Sequence, residues 1–141
     1  MRPHFGALVC TWLVSSLTAG LVSTVTGNVE NLVGDGSAAG ILDATVGWLV
    51  YTFPVSAFII GIFFLPLAIV LELRAVSFAG AYIAAGLFAV TLFITLIFGV
   101  SALPHGLALL ALPGVLGGAT WWFLAIRKSV AASLEIGIDH A

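Results

Sequence analysis

The chain has 141 residues, 62% of them hydrophobic and 7% charged, with a net charge of −2 and a mean hydropathy of +1.26. Soluble domains carry about 45–50% apolar and about 25% charged residues, so a water-soluble globule and a disordered chain are both excluded. Four Lys/Arg against six Asp/Glu leave no basic patch for nucleic acid, and the single Cys10 cannot form an intramolecular disulfide or a thiolate metal site. The expected class is an integral membrane protein, with the lipid bilayer as its first partner.

The charged residues are Arg2, Glu30, Asp35, Asp43, Glu72, Arg74, Arg127, Lys128, Glu135 and Asp139, and residues 3–29, 44–71 and 75–126 carry none. A helix needs about 20 apolar residues to cross a hydrocarbon core of about 30 Å, so the first two windows hold one span each. The third is long enough for two, broken at Ser101-Ala102-Leu103-Pro104-His105-Gly106, which reads as a turn. The expected spans are about 5–25, 47–71, 75–100 and 106–126. They read as helices because stretches such as Phe58-Ile59-Ile60-Gly61-Ile62-Phe63-Phe64-Leu65 are apolar at every position, whereas a barrel strand alternates. The fold class is therefore all-α, a four-helix transmembrane bundle in a single domain covering 1–141.

In chain order, the apolar stretch of the first span runs from Phe5 to Val25, longer than the h-region of a signal peptide, so a retained helix is expected. Thr11, Ser15, Thr18, Ala19 and Ser23 recur at spacings of three and four, forming a stripe of small and hydroxyl residues. Such stripes mark helix contact faces in lipid; a polar pore lining is the sharper alternative. Residues 26–46 read as an acidic, Gly-rich outer loop, with Ser37 able to cap a helix entering the second span. Trp48 and Tyr51 at one end, and Trp121-Trp122 at the other, resemble interfacial aromatic belts.

The second and third spans form a hairpin across Leu73 and Arg74. The first half of the third span is small (Ala75, Ala79, Gly80, Ala81, Ala84, Ala85, Gly86) and is expected beside Phe63, Phe64 and Leu65. Gly114-x-x-x-Gly118 in the fourth span invites close approach by the first or third span, or by a second copy of the protein. Pro54, Pro66 and Pro113 lie within spans, where each removes a backbone hydrogen bond, and are candidate hinges. The tail 129–141 reads as a short cytoplasmic surface segment. Arg2, Arg74 and Arg127-Lys128 flank the spans on one side and the opposite loops lack Lys and Arg, which predicts both termini in the cytoplasm.

No Gly-rich phosphate loop, zinc spacing or nucleophile elbow is present, so no catalytic, cofactor-binding or metal-binding residue is assigned and no cofactor is expected. Small four-span multidrug transporters match this chain in length but rely on a carboxylate inside the first span, where this chain has only Thr and Ser. Two stretches, Gly117-Gly118-Ala119-Thr120-Trp121-Trp122-Phe123-Leu124-Ala125-Ile126-Arg127 and Leu65-Pro66-Leu67-Ala68-Ile69-Val70-Leu71-Glu72-Leu73-Arg74, resemble small uncharacterised four-span bacterial inner-membrane proteins. That resemblance implies a multi-pass protein of the bacterial inner membrane and no particular activity. The leading functional expectation is a non-enzymatic protein acting through helix–helix association, as an accessory or assembly subunit beside a membrane-protein partner or as a homo-oligomer. The alternative is a small channel or facilitator for a neutral or weakly polar solute, lined by the first-span hydroxyls and Pro113-Gly114. A membrane-embedded enzyme using Glu72 and Arg74 is the third.

Overall fold

The computed structural model describes residues 5–27 and 38–127, all of them in helices or the short turns between them. Helix α1 is Phe5–Gly27 and α2 is Ala38–Phe58; a π-helical stretch, Ile59–Phe64, joins α2 to α3, Leu65–Leu73. Helix α4 is Ala79–Phe98, and after a 3-10 turn, Val100–Ala102, α5 spans Leu103–Trp121 and ends in a second π stretch, Trp122–Ile126. Four of these units are long and apolar enough to cross a bilayer: Phe5–Thr26, Thr45–Leu73, Ala79–Phe98 and Val100–Ile126. The protein is thus an all-helical membrane protein with four candidate spans. Residues 28–37, with Ser37, and 128–141, with the expected surface tail, lie outside the described residues.

Neighbouring spans run antiparallel. Across α1 and the second span, Ser16 meets Ser56 while Gly20 meets Leu49. Across α1 and α5, Ser15 meets Pro113 while Thr11 approaches Gly117. Helices α4 and α5 meet through Gly86 and Gly114, and through Tyr82 and Gly118. The first half of the second span leans on α1, and its π stretch makes most of the contact with α4.

Three boundaries differ from the sequence-based expectation, each for a local reason. Helix α2 starts at Ala38, so the segment expected to be loop up to 46 is helical from there. The hairpin turn is longer than Leu73 and Arg74 alone, and α4 starts at Ala79 rather than 75. Here Val76 N–H bonds to Leu71 O and Ala75 N–H to Glu72 O, the double closure of a Schellman cap, with Ala75 at φ 54°. The third break falls on Gly99, at φ 85°, and not on 101–106. Pro104 belongs to the first turn of α5, where its missing N–H has no intrahelical partner to lose.

The prolines are tolerated in three ways. Pro54 sits exposed within α2 and Pro113 buried within α5. Pro66 occupies the first turn of α3, directly after the π stretch, where Leu65 N–H bonds back five residues to Ile60 O. In a regular helix the Pro66 ring would press on the Ile62 carbonyl; the wider turn ahead of it relieves that clash.

The small residues of the third span are used against the fourth. A side chain added at Gly86 would collide with the Gly114 carbonyl, and one at Gly118 with the Tyr82 carbonyl. Backbone thus lies on backbone, and the Gly114/Gly118 motif is occupied within the protomer. Of the bulky residues in the second span, Phe63 joins Phe58 and Phe93 in an edge-to-face cluster, and Phe64 packs on Trp121 at 5.9 Å between ring centroids.

Gly118→Ala forces backbone apart and should destabilise the fold by about 1–3 kcal/mol. Gly61→Ala, with open space around it, should leave stability nearly unchanged; denaturant titration in mixed micelles separates the two. Ala75→Gly removes the left-handed strain of a non-glycine residue and should stabilise by about 1 kcal/mol in the same assay.

Candidate functional site

The site is built around α1. With 3.6 residues per turn, a row of residues four apart advances slowly around a helix, and α1 presents two such rows side by side. The row Trp12, Ser16, Gly20, Thr24 faces the second span. Trp12 Nε1 donates to Phe53 O at 2.9 Å, its ring meets Phe53 edge-on, the Ser16 and Ser56 hydroxyls are in hydrogen-bond contact, and Gly20 lies against Leu49. The row Thr11, Ser15, Ala19, Ser23 is buried and turns toward α5 and the interior. Ser15 Oγ donates to Pro113 O at 3.3 Å.

Thr18 belongs to neither row. It is half-buried, and its hydroxyl bonds back to Val14 O at 2.7 Å. The stripe read from the sequence mixes spacings of three and four, and the packing follows four. What that stripe does not include is the neighbouring row: Ser16, Gly20 and Thr24, small residues four apart, were the available signal.

Between these elements lies a cavity of about 180 Å³ touched by all four spans. Helix α1 contributes Thr11, Ser15, Ala19 and Ser23; the second span contributes Trp48, Tyr51, Thr52, Val55, Ser56, Ile59, Ile60 and Phe64. Gly86, Ala89 and Val90 of α4, and Leu110, Pro113, Gly114, Gly117 and Gly118 of α5, complete it. Of the candidates read from the sequence it therefore gathers Thr11, Ser15, Ala19, Ser23, Pro113, Gly114 and Gly118, and leaves out Thr18, Pro54 and Pro66. The exposed Trp48 and Tyr51 stand at the end nearest Ser23. At the other end the space is lined by Phe64, which packs on Trp121. The cavity exists because α1 is held against α5 and α4 against α5, while the first half of the second span rests on α1.

The walls are apolar with a few hydroxyls, of which those of Ser15, Thr52 and Ser56 donate to backbone carbonyls. Thr52 donates to Leu49 O at 3.4 Å, and Ser56 to Thr52 O at 2.7 Å. Elsewhere in the bundle, Thr18, Thr24, Thr91, Thr95 and Thr120 all donate to the carbonyl four residues back at 2.7–2.8 Å. Thr11 does not. It is 1% exposed, and among the described residues its Oγ1 is the buried side-chain polar atom with no partner.

The polar residues at the Arg74 end form a separate group. Trp121 Nε1 donates to Glu72 Oε1 at 3.2 Å, Trp122 Nε1 to Ser77 O at 2.6 Å, and the buried Tyr82 hydroxyl to Val76 O at 2.9 Å. Trp121 is thus a core residue tying the hairpin to the last span. Arg127 stacks over Phe123 at 5.0 Å. His105 lies at the opposite end, in the first turn of α5, across the length of the bundle from Glu72. Among the described residues no three His, Cys, Asp or Glu side chains group as metal ligands.

The chain was compared with known protein families, curated proteins and solved structures, and matches none of them. The functional reading accordingly rests on the pocket.

Removing an unpartnered buried hydroxyl while keeping side-chain shape relieves a desolvation penalty. Thr11→Val should therefore stabilise the protein in detergent by about 1–3 kcal/mol, seen as a higher midpoint in thermal or denaturant unfolding. Ser15→Ala should do the opposite by about 1 kcal/mol, since it removes the buried hydrogen bond between α1 and α5.

Proposed function

We propose that this chain is a small facilitator of the bacterial inner membrane, which takes a neutral or weakly polar solute into the pocket between its four spans. One observation carries this reading: a pocket walled by every span keeps a buried hydroxyl unsatisfied at Thr11. In a membrane interior an unpaired polar group costs free energy that a packed helix bundle ordinarily avoids, by back-bonding as the other threonines do. A cavity of about 180 Å³ is comparable to one of about 150 Å³ that holds benzene, so it accepts a compact solute of that size or the head of a longer one. Both termini are assigned to the cytoplasm because Arg74 and Arg127 follow the second and fourth spans at one end of the bundle.

Association with another membrane helix is the second reading, as an accessory subunit or a homo-oligomer. It is favoured by Gly47 and Gly61, which face outward with open space where a side chain would stand. The Gly114/Gly118 seam does not serve it, being filled by α4.

The binding reading is tested with benzene, titrated into methyl-labelled protein in lipid nanodiscs. The Ala19, Val55 and Ala89 methyls should shift saturably while the lipid-facing Val70 does not, and Ala19→Leu should abolish the effect by filling the pocket. Uniform, unsaturable shifts of pocket and lipid-facing methyls would refute it.

A further inference from the structure

The lining of the pocket changes in character along the bundle axis, and that order restricts its ligand, an inference that rests on the binding reading above. Along α1 the lining runs from Thr11 to Ser23, about 18 Å at the rise of a helix. Along the second span it runs from Phe64 to Trp48, about 24 Å. A volume of about 180 Å³, little more than the about 150 Å³ that holds one benzene, is drawn out over that length, so the space is a narrow slot. Further in, Ser15, Thr52 and Ser56 donate to backbone carbonyls, and the Thr11 oxygen is covered by its neighbours. At the Ser23 end the donors are free. Ser23 is 7% exposed, Trp48 and Tyr51 are exposed, and among the described residues no hydrogen bond holds the Ser23 or Tyr51 hydroxyl or the Trp48 indole N–H. Gly20 lies against Leu49 and Thr52, so Ser23, one turn further along α1, comes within a turn of Trp48. Both stand within one turn of the ends of their spans, Phe5–Thr26 and Thr45–Leu73, the depth at which a bilayer changes from hydrocarbon to headgroup.

We propose that the ligand is a single-chain amphiphile with an uncharged head. Its hydrocarbon chain lies in the slot along Ile59, Ile60, Ala89 and Val90, and oxygens of its head accept from Ser23, Tyr51 and Trp48. A chain is as well solvated by lipid tails as by these walls, so moving it from bilayer to slot is nearly neutral and the head contacts set the affinity. A two-chain lipid would leave one chain outside the slot. The lining includes no charged side chain, and the segments at this end, 28–44 and 99–105, carry Glu30, Asp35 and Asp43 without any Lys or Arg. An anionic head would meet like charge there, and a quaternary ammonium head has no acceptor to offer the donors.

The test compares monooctanoylglycerol, octane, octyl sulfate and octyltrimethylammonium by protein methyl shifts in nanodiscs of deuterated lipid. Concentrations are taken as mole fractions in the lipid, so that partitioning cancels. One additional hydrogen bond corresponds to about a two- to tenfold gain in affinity. Monooctanoylglycerol should therefore bind about two- to tenfold more tightly than octane, and more tightly than either charged probe. Cross-relaxation should connect its terminal chain methyl to Ile60 and Ala89, and its glycerol protons to Ser23 and Trp48. The double variant Ser23→Ala/Tyr51→Phe should lower its affinity by a similar factor and leave octane binding unchanged, which also shows that the slot is intact. Equal affinity for all four probes, no effect of the double variant, or the reverse orientation would overturn the amphiphile assignment and leave the pocket reading intact. Tighter binding of either charged probe would overturn the uncharged head. If no probe shifts the Ala19, Val55 and Ala89 methyls saturably, the pocket reading itself fails.

Discussion

The structure is governed by the absence of water around its backbone. In hydrocarbon every N–H and C=O needs a partner within the protein, and helix hydrogen bonds supply nearly all of them. A proline inside a helix bends it and disturbs the hydrogen-bond ladder around it, and α1 brings side-chain donors to two such places. Trp12 reaches the carbonyl of Phe53, immediately before Pro54, and Ser15 reaches the carbonyl of Pro113 itself. Three residues apart on one helix, these donors tie the second and fourth spans to the first. The polar character of α1, unusual in so apolar a chain, is thereby accounted for by the helices beside it.

A second constraint sets the distances. Helices gain little from hiding apolar surface in lipid, so they associate by contact, and glycine permits the closest contact. Gly86, Gly114 and Gly118 let α4 and α5 meet backbone to backbone, while Gly117 admits the Ser15 side chain from the other side. Helix α5 is thus drawn toward two partners at once. The first half of the second span has no such seam with α4 or α5, and it is held by Trp12, Ser16 and Gly20 of α1. A space is left where three helices close up and the first half of the fourth rests mainly on one of them. The pocket is a consequence of uneven seams, and the hydroxyls that make the seams also line it.

The number of spans was legible because it depends only on charge-free length, which the bilayer reads directly. Their ends were legible to within a few residues, and the misplacements share a cause. Pro104 looks like a turn residue in a string of letters, yet a proline in a first helical turn is as well placed as one in a loop. Ala75 looks helical, yet the chain uses it in the left-handed position usually given to glycine. The pocket was half legible. The row Thr11, Ser15, Ala19, Ser23 stood out through its small and hydroxyl side chains, but which of two adjacent rows faces which neighbour depends on the seams, and those require the fold. Trp48 and Tyr51 stood out only as aromatics near a span end, and Val55 carried no signal beyond apolarity, because in a membrane span that property belongs to lipid-facing and buried residues alike.

Thr11 shows why a violated local rule is informative in this setting. A threonine inside a transmembrane helix has a partner always at hand, the carbonyl four residues earlier, and Thr18, Thr24, Thr91, Thr95 and Thr120 all take it. Reaching that carbonyl requires only a rotation about one bond. Thr11 forgoes it, deep in the pocket wall, one turn from Ser15 and against the same glycine, Gly117. Sequences that specify a fold tend to break their own rules where a function needs the exception. A valine would fill the same volume without the penalty, so stability alone does not explain a threonine at this position.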